Sequence, residues 1–257
     1  MAIVDPHQVS QIISDIAQRV ILPRFRRLAD DEVREKRPDD LVTIADLESE
    51  QALSERLATL LPNSKIVGEE GASNDPAALD ILSGPDPVWV IDPIDGTHNF
   101  VNGEPFFAVL VALVQSQRTV QGWIHDPLPG RTCYAIDGEG AWCEGERLRI
   151  VGNPDPRLTG AAAWRDRDRL ERNGHRLRQW RCAGHEYLAL IDGALDFSCY
   201  RKLNPWDHAA GVLLHREAGG VSALLSGEDY RPLPQEGPLL MARDRASWDK
   251  LKAVFSA

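Results

Sequence analysis

The stretch Trp89-Val-Ile-Asp92-Pro-Ile-Asp95-Gly96-Thr97 places two carboxylates at the end of a short hydrophobic run. The apolar residues at its start predict a buried strand. Pro93 has no backbone N–H to donate, so we expect the strand ladder to stop there. Gly96 permits a tight turn and a close approach of a ligand to the backbone. The pattern therefore predicts a strand end that presents Asp92 and Asp95 to a ligand.

The residues that follow favour an anion as part of that ligand. Thr97-His-Asn-Phe100 can open a short helix, and the first N–H groups of a helix have no intrahelical acceptor, which suits a phosphate. Two carboxylates would repel a nearby phosphate unless metal ions lay between them, and oxygen ligands of this kind suit Mg²⁺. An Asp-x-x-Asp pair is also typical of an ordinary turn in which Asp95 caps a helix, so the pair alone decides nothing.

Three further windows carry acidic residues where a strand ends or a helix begins. Gly68-Glu69-Glu70 follows a short apolar strand. Asn204-Pro205-Trp206-Asp207 begins with a good N-cap and a good first helical residue, which puts Asp207 in the first turn, where the helix dipole favours its ionised form. Asp46 lies near the start of a helix predicted after Asp39-Asp40-Leu-Val-Thr43. Each window by itself has a purely structural explanation.

Apolar periodicity predicts both helices and strands along the chain. We predict helices over 9–21, 47–61, 185–191, 208–218 and 247–255. We predict strands over 65–68, 88–91, 106–115, 119–125, 132–136, 141–143, 194–200 and 221–225. The Arg-rich stretch 165–181 predicts a solvated helix face. A second αβ region begins near 152–156, so we expect two interleaved lobes, 1–150 and 151–257, rather than independent domains.

The overall composition excludes several classes of partner. Apolar residues make up 43% of the 257 residues and charged residues 26%, which is the range of folded globular proteins rather than disordered ones. The 39 acidic and 29 basic residues give a net charge of −10. Nucleic acids and anionic membranes repel such a chain at long range, so we expect neither as a partner.

The cysteines and the N-terminus predict a cytoplasmic protein. The four cysteines form no Cys-x-x-Cys pair and match no zinc or haem spacing, so we expect free thiols in a reducing compartment. The N-terminal residues contain no long apolar stretch of the kind that signal peptides carry. The longest apolar run, 106–114, is far shorter than the ~20 residues of a membrane helix.

Together, the acidic windows resemble the inositol monophosphatase family of Mg²⁺-dependent, Li⁺-sensitive phosphatases. The resemblance covers nearly the whole chain and implies an α+β fold, a layered αβαβα sandwich of the inositol monophosphatase and fructose-1,6-bisphosphatase type, in a homodimer. The segments that carry it, in this order, are Lys36 to Asp46, Gly68-Glu69-Glu70, Asp92-Pro-Ile-Asp95-Gly-Thr97, Gly138 to Trp142, Trp206-Asp207, Ala210-Gly211 and Glu217 to Gly220.

The resemblance also implies two or three Mg²⁺ ions per site. A first ion would be held by Glu69, Asp92 and the backbone carbonyl of Ile94. A second would be held by Asp92, Asp95 and Asp207, and a third, weaker ion would depend on Glu69. Most of these ligands belong to the N-terminal lobe, whereas Asp207 and several substrate contacts come from the C-terminal lobe.

The implied reaction is hydrolysis of a small phosphorylated metabolite by an activated water. Glu69 and Thr97, with Asp46, would orient that water, and the backbone N–H groups of Gly96 and Thr97 would hold the phosphate. Several cations in one site suit this reaction, because the uncatalysed hydrolysis of a phosphate monoester is among the slowest known. The expected substrate-binding residues are Asp95, Gly96, Thr97, Tyr200, Arg201 and Asp207.

The substrate itself stays open at this stage. Inositol-specific members of the family carry a Glu seven residues before the late Asp, where this chain has Tyr200. The neighbouring Arg201 and Lys202 could serve a more anionic substrate, such as a sugar bisphosphate or a nucleoside 3′,5′-bisphosphate. Inositol monophosphatase, 3′(2′),5′-bisphosphate nucleotidase, fructose-1,6-bisphosphatase and histidinol-phosphatase activities all remain candidates. A non-catalytic binder of phosphorylated ligands is disfavoured, because suitable residues occupy every matched position.

Overall fold

The structure is a computed structural model that describes residues 3–38, 40–151 and 157–256. Asp39 and the expected lobe boundary at 152–156 lie outside the described residues. The helices are α1 (Pro6–Ile16), α2 (Ile44–Leu60), α3 (Glu69–Asn74), α4 (Thr97–Val101), α5 (Arg167–Arg172), α6 (Ala183–Ile191), α7 (Pro205–Glu217) and α8 (Arg245–Ser256). A π-helical turn, Ala17–Ile21, continues α1.

The strands form two main sheets and one hairpin. The hairpin pairs β1 and β2, a seven-stranded sheet has the order β3-β4-β5-β6-β7-β8-β9, and a five-stranded sheet has the order β11-β10-β12-β14-β13. The strands are β1 (Val33–Arg37), β2 (Asp40–Thr43), β3 (Lys65–Gly68), β4 (Val88–Asp95), β5 (Ala108–Gln115), β6 (Arg118–Asp126), β7 (Arg131–Ile136), β8 (Gly140–Cys143), β9 (Glu146–Arg147), β10 (Thr159–Ala162), β11 (Arg176–Leu177), β12 (Phe197–Tyr200), β13 (Val221–Leu224) and β14 (Leu239–Ala242).

These elements stack in five layers. Helices α1 and α2 cover one face of the seven-stranded sheet, where Ile13 and Leu53 pack in one cluster with Trp89. Helices α6 and α7 lie between the two sheets. Helices α5 and α8 cover the outer face of the five-stranded sheet, where Trp248 packs with Phe197. The expected αβαβα sandwich is therefore confirmed.

Helix α7 joins the two halves of the chain. It contacts β5, β6 and β7 of one sheet and β13 of the other, and apart from Asp207 and its last two residues it is buried. A helix that is apolar all round belongs in an interior. Close packing on both sides requires small residues, and Gly211 meets the ring of Tyr187 on α6. The first turn of α7 is thereby held at a fixed height against the large sheet.

Most predicted elements occur close to their expected positions, with three instructive differences. The stretch 165–181 is not one solvated helix, because it holds the short α5 and β11 and a buried Asp166. Strands β1, β2, β9, β10 and β14 have no counterpart among the predicted elements. Strand β1 is a polar hairpin strand without apolar alternation, and β14 is a four-residue run in the middle of its sheet. No helix in the described ranges combines the length and apolarity needed to cross a membrane.

The expectation that all four cysteines are free thiols is wrong for two of them. Cys133 and Cys143 lie directly opposite each other on β7 and β8 and form a disulfide, with Cα atoms 4.2 Å apart. Cys182 and Cys199 are free and buried. The sequence spacing could not show the pair, because only the register of the β7–β8 ladder brings the two side chains together.

We expect Gly211→Ala to lower the free energy of unfolding by about 1–3 kcal/mol, because a new Cβ would lie 2.1 Å from Cδ2 of Tyr187, whose ring is fully buried and has no room to move. The clash should outweigh the better helix propensity of Ala, which is worth ~1 kcal/mol at most. Urea denaturation measures the change. Gly84→Ala is the control, since its Cβ would meet only the carbonyl oxygen of Ile81 at 3.4 Å. Equal stabilities of the two variants would contradict the packing argument.

Candidate active site

The site is built around the C-terminal end of strand β4. Asp92 and Asp95 are both buried, at 1% and 8% exposure. The ladder with β5 is irregular between them: Asp92 pairs with Leu110 and Asp95 pairs with Ala108. The expectation that the ladder stops at Pro93 is therefore wrong, since pairing is interrupted and then resumes. The irregularity keeps the strand inside the sheet while the backbone between the two acids leaves the ladder.

Asp95 is anchored by the start of helix α6. Its Oδ2 accepts hydrogen bonds from the backbone N–H of Gly184, at 2.6 Å, and from the Cys182 thiol, at 3.0 Å. Gly96 follows with a φ of +88°, a left-handed conformation that favours glycine. A Cβ at Gly96 would lie 2.7 Å from the carbonyl oxygen of Phe106. Position 96 therefore needs glycine on both counts.

Asp46 and Thr97 meet across the chain. The Thr97 hydroxyl lies 3.2 Å from Oδ1 of Asp46 and 2.9 Å from the carbonyl oxygen of Ile94. Oδ2 of Asp46 accepts bonds from the backbone N–H and the hydroxyl of Thr43, at 2.8 and 2.6 Å, in a capping box at the start of α2. Burial raises the pKa of Asp46 to about 7, although these hydrogen bonds favour the ionised form.

Glu69 and Glu70 begin helix α3 beside a lysine. Nζ of Lys36 lies 3.0 Å from Oε1 of Glu69 and 2.9 Å from Oε1 of Glu70. Burial opposes the charge on Lys36, but attraction to the two carboxylates outweighs it and raises the lysine pKa. Glu50 accepts the N–H groups of Glu70 and Gly71, at 2.8 and 2.9 Å, and so caps α3 from helix α2. Burial and repulsion from Glu69 raise the pKa of Glu70 to about 7.

Asp207 reaches the same place from the other half of the chain. It is half-buried in the first turn of α7, and Nδ2 of Asn204 donates to its Oδ2 at 3.1 Å. Loss of solvent around the carboxylate raises its pKa, and repulsion from Glu69 and Asp95 raises it further. The predicted position of Asp207 in the first helical turn is confirmed.

Asp92 is the most constrained of these acids. Burial raises its pKa, and then repulsion from Glu69, Asp95 and Asp207 raises it further. Its Oδ1 is fully buried and has no hydrogen-bond donor. Among the described residues, no group of three or more His, Cys, Asp or Glu side chains is positioned to hold a metal ion as the side chains stand. The acids are therefore close enough to repel one another, and Asp92 has no described donor on Oδ1 to offset that repulsion.

A cavity of about 390 Å³ adjoins these acids. Asp95 and Asp207 line it, together with the predicted substrate residues Tyr200 and Arg201. The guanidinium of Arg201 is already bound at 2.9 and 2.7 Å by the two carboxylate oxygens of the buried Asp166. A larger cavity, of about 450 Å³, lies between the turn 116–119 and the loop 229–232, and none of the predicted site residues lines it.

Comparisons with known proteins agree with this geometry. A model of the inositol monophosphatase family matches residues 5–253. The chain belongs to that family. It is 32% identical over 197 residues to a fructose-1,6-bisphosphatase/inositol-1-monophosphatase of Thermotoga maritima, which covers 74% of this chain and 73% of that protein. It is 34% identical over 215 residues to the 3′(2′),5′-bisphosphate nucleotidase CysQ of Aggregatibacter actinomycetemcomitans, covering 78% and 77%.

Solved structures of the inositol monophosphatase family share the fold. An IMPase from Thermotoga maritima superimposes with a TM-score of 0.83 and 27% identity, over 97% of this chain and 96% of that one. The resemblance stated from the acidic windows is thus confirmed, as is the assignment of the chain to a family of phosphate-monoester phosphatases.

Four residues of the site were missed by reasoning from the sequence. Lys36 marks only the start of a matched segment, and Glu186 only belongs to the run His185-Glu186-Tyr187, where relatives have small residues. Glu50 and Asp166 carry no prediction. Glu50 and Asp166 stand inside charged stretches that predict solvent exposure, and no local signal distinguishes them. Glu186 was the more visible of these, because it follows closely after the cysteine that anchors Asp95.

Without divalent cations, we expect the stability of this family member to fall as pH rises through 7, from about 6.5 to about 8.5. Unfolded carboxyls ionise near pH ~4. The pKa values of Asp46 and Glu70 are about 7 in the fold, and burial and repulsion from neighbouring acids raise those of Asp92 and Asp207 as well. The folded state therefore holds more protons than the unfolded state in this window, and the free energy of unfolding decreases with pH.

Thermal melting in EDTA at several pH values measures this slope. Buried histidines with lowered pKa values give a slope of opposite sign, but only below about 6.5, where the unfolded histidines still bind protons. Asp92→Asn removes one of the mutually repelling acids and should flatten the slope. A melting temperature that rises between pH 7 and 8.5 in wild-type protein would show that the acids do not repel as described.

Proposed function

We propose that this chain hydrolyses the phosphate monoester of a small metabolite with two or three Mg²⁺ ions per site. The observation that carries the proposal is Oδ1 of Asp92, a buried carboxylate oxygen without a hydrogen-bond donor, placed among Glu69, Asp95 and Asp207. A buried anion without a partner is strongly unfavourable unless a cation binds it. The pKa values of the surrounding acids are raised for the same reason, because their negative charges are buried.

The chemistry of the donor set fits a hard divalent cation. Glu69, Asp92, Asp95 and Asp207 supply carboxylate oxygens, and the carbonyl of Ile94 supplies a neutral one. We propose Glu69, Asp92 and Ile94 for one ion, Asp92, Asp95 and Asp207 for a second, and Glu69 for a weaker third. Because Glu69 is held by Lys36 and Asp95 by the start of α6, small side-chain rotations should accompany metal binding.

The chain's own residues orient the reacting groups. The Thr97 hydroxyl has two acceptors for its proton, Asp46 and the carbonyl of Ile94, so its oxygen lone pairs can accept a hydrogen from water. Glu69 would accept the second hydrogen of that water. Bound Mg²⁺ lowers the pKa of water and offsets the negative charge of the phosphoryl oxygens. The backbone N–H groups of Gly96 and Thr97, at the start of α4, would donate to the phosphate.

The cavity beside the acids would receive the alcohol that leaves. It is lined by Asp95 and Asp207 on one side and by Tyr200 and Arg201 on the other. An ester whose phosphate lies against Gly96 would therefore place its leaving group between the two sheets. Phosphate release with Mg²⁺ from inositol monophosphates, fructose 1,6-bisphosphate, histidinol phosphate and nucleoside 3′,5′-bisphosphates tests the activity and ranks these substrates.

The competing proposal is a non-catalytic protein that binds phosphorylated ligands. It would be supported by Mg²⁺ binding together with background phosphate release from every compound in the panel. It is the weaker proposal, because Glu69, Thr97 and Asp46, the residues that would orient water, are all present. The Thr97 hydroxyl lies 3.2 Å from Asp46, and repulsion from Asp46 contributes to the raised pKa of Glu69.

Three further properties remain proposals that follow from the family resemblance. These are inhibition by Li⁺, assembly as a homodimer and a cytoplasmic location. Light scattering after size-exclusion chromatography measures the assembly, and Li⁺ titration of the Mg²⁺-dependent rate measures the inhibition. The disulfide between Cys133 and Cys143 bears on the location, because such bonds are rare in reducing compartments.

We expect Asp92→Asn to lower kcat by several orders of magnitude, because the variant loses a carboxylate proposed to contact two metal ions. The fold should persist, and the metal-free variant should be at least as stable as wild-type protein, since one repelling charge is gone. Steady-state kinetics at saturating Mg²⁺ measure the loss. Asp86→Asn, at an exposed pair with Lys65, is the control and should leave kcat unchanged. A tenfold loss of activity corresponds to a barrier change of only ~1.4 kcal/mol. If Asp92→Asn keeps more than about a tenth of wild-type activity, the carboxylate of Asp92 does not have this role.

We expect Thr97→Val to lower kcat by about a hundredfold with little change in KM, because the variant keeps the shape of the side chain and loses the hydroxyl that orients water. Thr97→Ser keeps the hydroxyl and should retain most of the activity. Initial rates over a range of substrate concentrations separate the two constants. A sharp rise in KM with kcat intact would assign Thr97 to substrate binding instead.

A further inference from the structure

Glu186 is a buried carboxylate in the wall of the cavity that adjoins the metal-site acids. It lies on helix α6, has 5% exposure, and lines the cavity with Tyr200 and Arg201. Its Oε2 accepts hydrogen bonds from the Tyr200 hydroxyl, at 2.6 Å, and from the Ser198 hydroxyl, at 3.1 Å. Both donors stand on strand β12, so the carboxylate joins the middle helical layer to the smaller sheet.

The second carboxylate oxygen of Glu186, Oε1, can accept further hydrogen bonds. Among the residues that the structure describes, the one partner of Oε1 is the backbone N–H of Trp180, at 3.5 Å, which is longer than the ~2.7–3.2 Å of an ordinary N–H···O bond. A carboxylate oxygen can accept two hydrogen bonds. Oε1 is thus a buried acceptor beside an open cavity, and a ligand that enters the cavity can donate to it.

The partners of Glu186 do not explain the residue as a structural ion pair. They are two hydroxyls and one peptide N–H, all neutral. Burying a carboxylate among neutral donors is unfavourable, and an apolar side chain would join α6 to β12 as well. The burial of this carboxylate is explained if a ligand in the cavity donates a further hydrogen bond to it.

Tyr200 supplies the second half of the same subsite. Its hydroxyl proton is directed to Glu186, which leaves the phenol oxygen as an acceptor. Its ring is held at 4.6 Å from that of His208 and at 5.9 Å from that of Tyr187, centroid to centroid. The hydrogen bond to Oε2 therefore fixes the phenol oxygen beside the Glu186 carboxylate, and each side chain offers one acceptor to a ligand.

The charges around the cavity favour a neutral donor over a cation. Arg181 and Lys202 line the cavity and are exposed, so they oppose an amine-bearing group. Arg201 is neutralised by its two bonds to Asp166 and is a poor receptor for a second phosphate. The ligand that matches the acceptors and the charges is an alcohol with further free hydroxyls.

We infer that Glu186, supported by Tyr200, binds a hydroxyl of the leaving group and so selects monophosphates of polyhydroxylated alcohols. The inference rests on the proposed phosphatase function and adds the residue that determines substrate choice.

Steady-state kinetics with two kinds of substrate test this role. One kind is a set of polyol monophosphates, namely myo-inositol 1-phosphate, sorbitol 6-phosphate and glycerol 1-phosphate. The other is p-nitrophenyl phosphate, whose leaving group has no further hydroxyl. We expect wild-type protein to prefer at least one polyol. In Glu186→Ala, kcat/KM for that polyol should fall about 10–50-fold, mainly through KM, while p-nitrophenyl phosphate changes less than threefold.

Three further variants separate binding from folding. Glu186→Gln keeps an acceptor oxygen and the shape, so it should lose about 3–10-fold on the polyol. Tyr200→Phe should show the same substrate pattern as Glu186→Ala with a smaller loss. Ser198→Ala removes a buried partner of Glu186 that does not line the cavity, and it should lower the melting temperature without changing the preference.

The possible failures are distinguishable from one another. Equal losses on polyols and p-nitrophenyl phosphate in Glu186→Ala, or no loss on either, would overturn the subsite. A wild-type protein that prefers no polyol would also overturn it. The same holds if kcat/KM of Glu186→Ala falls more for histidinol phosphate than for the polyol monophosphates. Absence of Mg²⁺-dependent phosphate release from every compound would instead refute the proposed function itself.

Discussion

The mutual repulsion of carboxylates buried in one place is the constraint on which the rest of the structure depends. Burial raises the pKa values of Asp92, Asp95, Glu69 and Asp207, and repulsion from other acids raises those of Asp92, Glu69 and Asp207 further. A polypeptide does not hold such a cluster without separate support for its members. The fold provides that support locally. Asp95 is bound by the start of α6, Asp207 by Asn204, and Glu69 by Lys36.

The layered architecture explains why the support comes from distant parts of the chain. Helices α6 and α7 lie between the two sheets, so the start of each can reach the end of β4. Close packing around Gly211 and Gly122 keeps α7 tight against the large sheet, where larger side chains would push it away. The helix that carries Asp207 is therefore positioned by the core, and the acid needs little adjustment of its own.

Relatives with this fold differ in the substrate that their names record, although the chain resembles them along most of its length. The site consists of two separate sets of residues, which explains how relatives can share the fold and still differ in substrate. The acids proposed to bind metal lie mainly on β4 and α3, whereas the residues proposed to face the leaving group lie on α6 and β12. In this chain the second set contains the Glu186–Tyr200 pair and an Arg201 that is already engaged by Asp166. Substitutions in that set can change the alcohol without disturbing the acids.

Local sequence pattern determined much of the fold and the acidic half of the site. A helix cap, an apolar strand or an acid in a first helical turn depends on a few neighbouring residues, so the windows around Glu69, Asp92 and Asp207 predicted their own positions. Strand register and side-chain partners across layers depend on residues far apart in the chain, which periodicity does not encode. Only the tertiary structure therefore showed the Cys133–Cys143 pair, the resumed ladder beyond Pro93 and the contact between Glu186 and Tyr200.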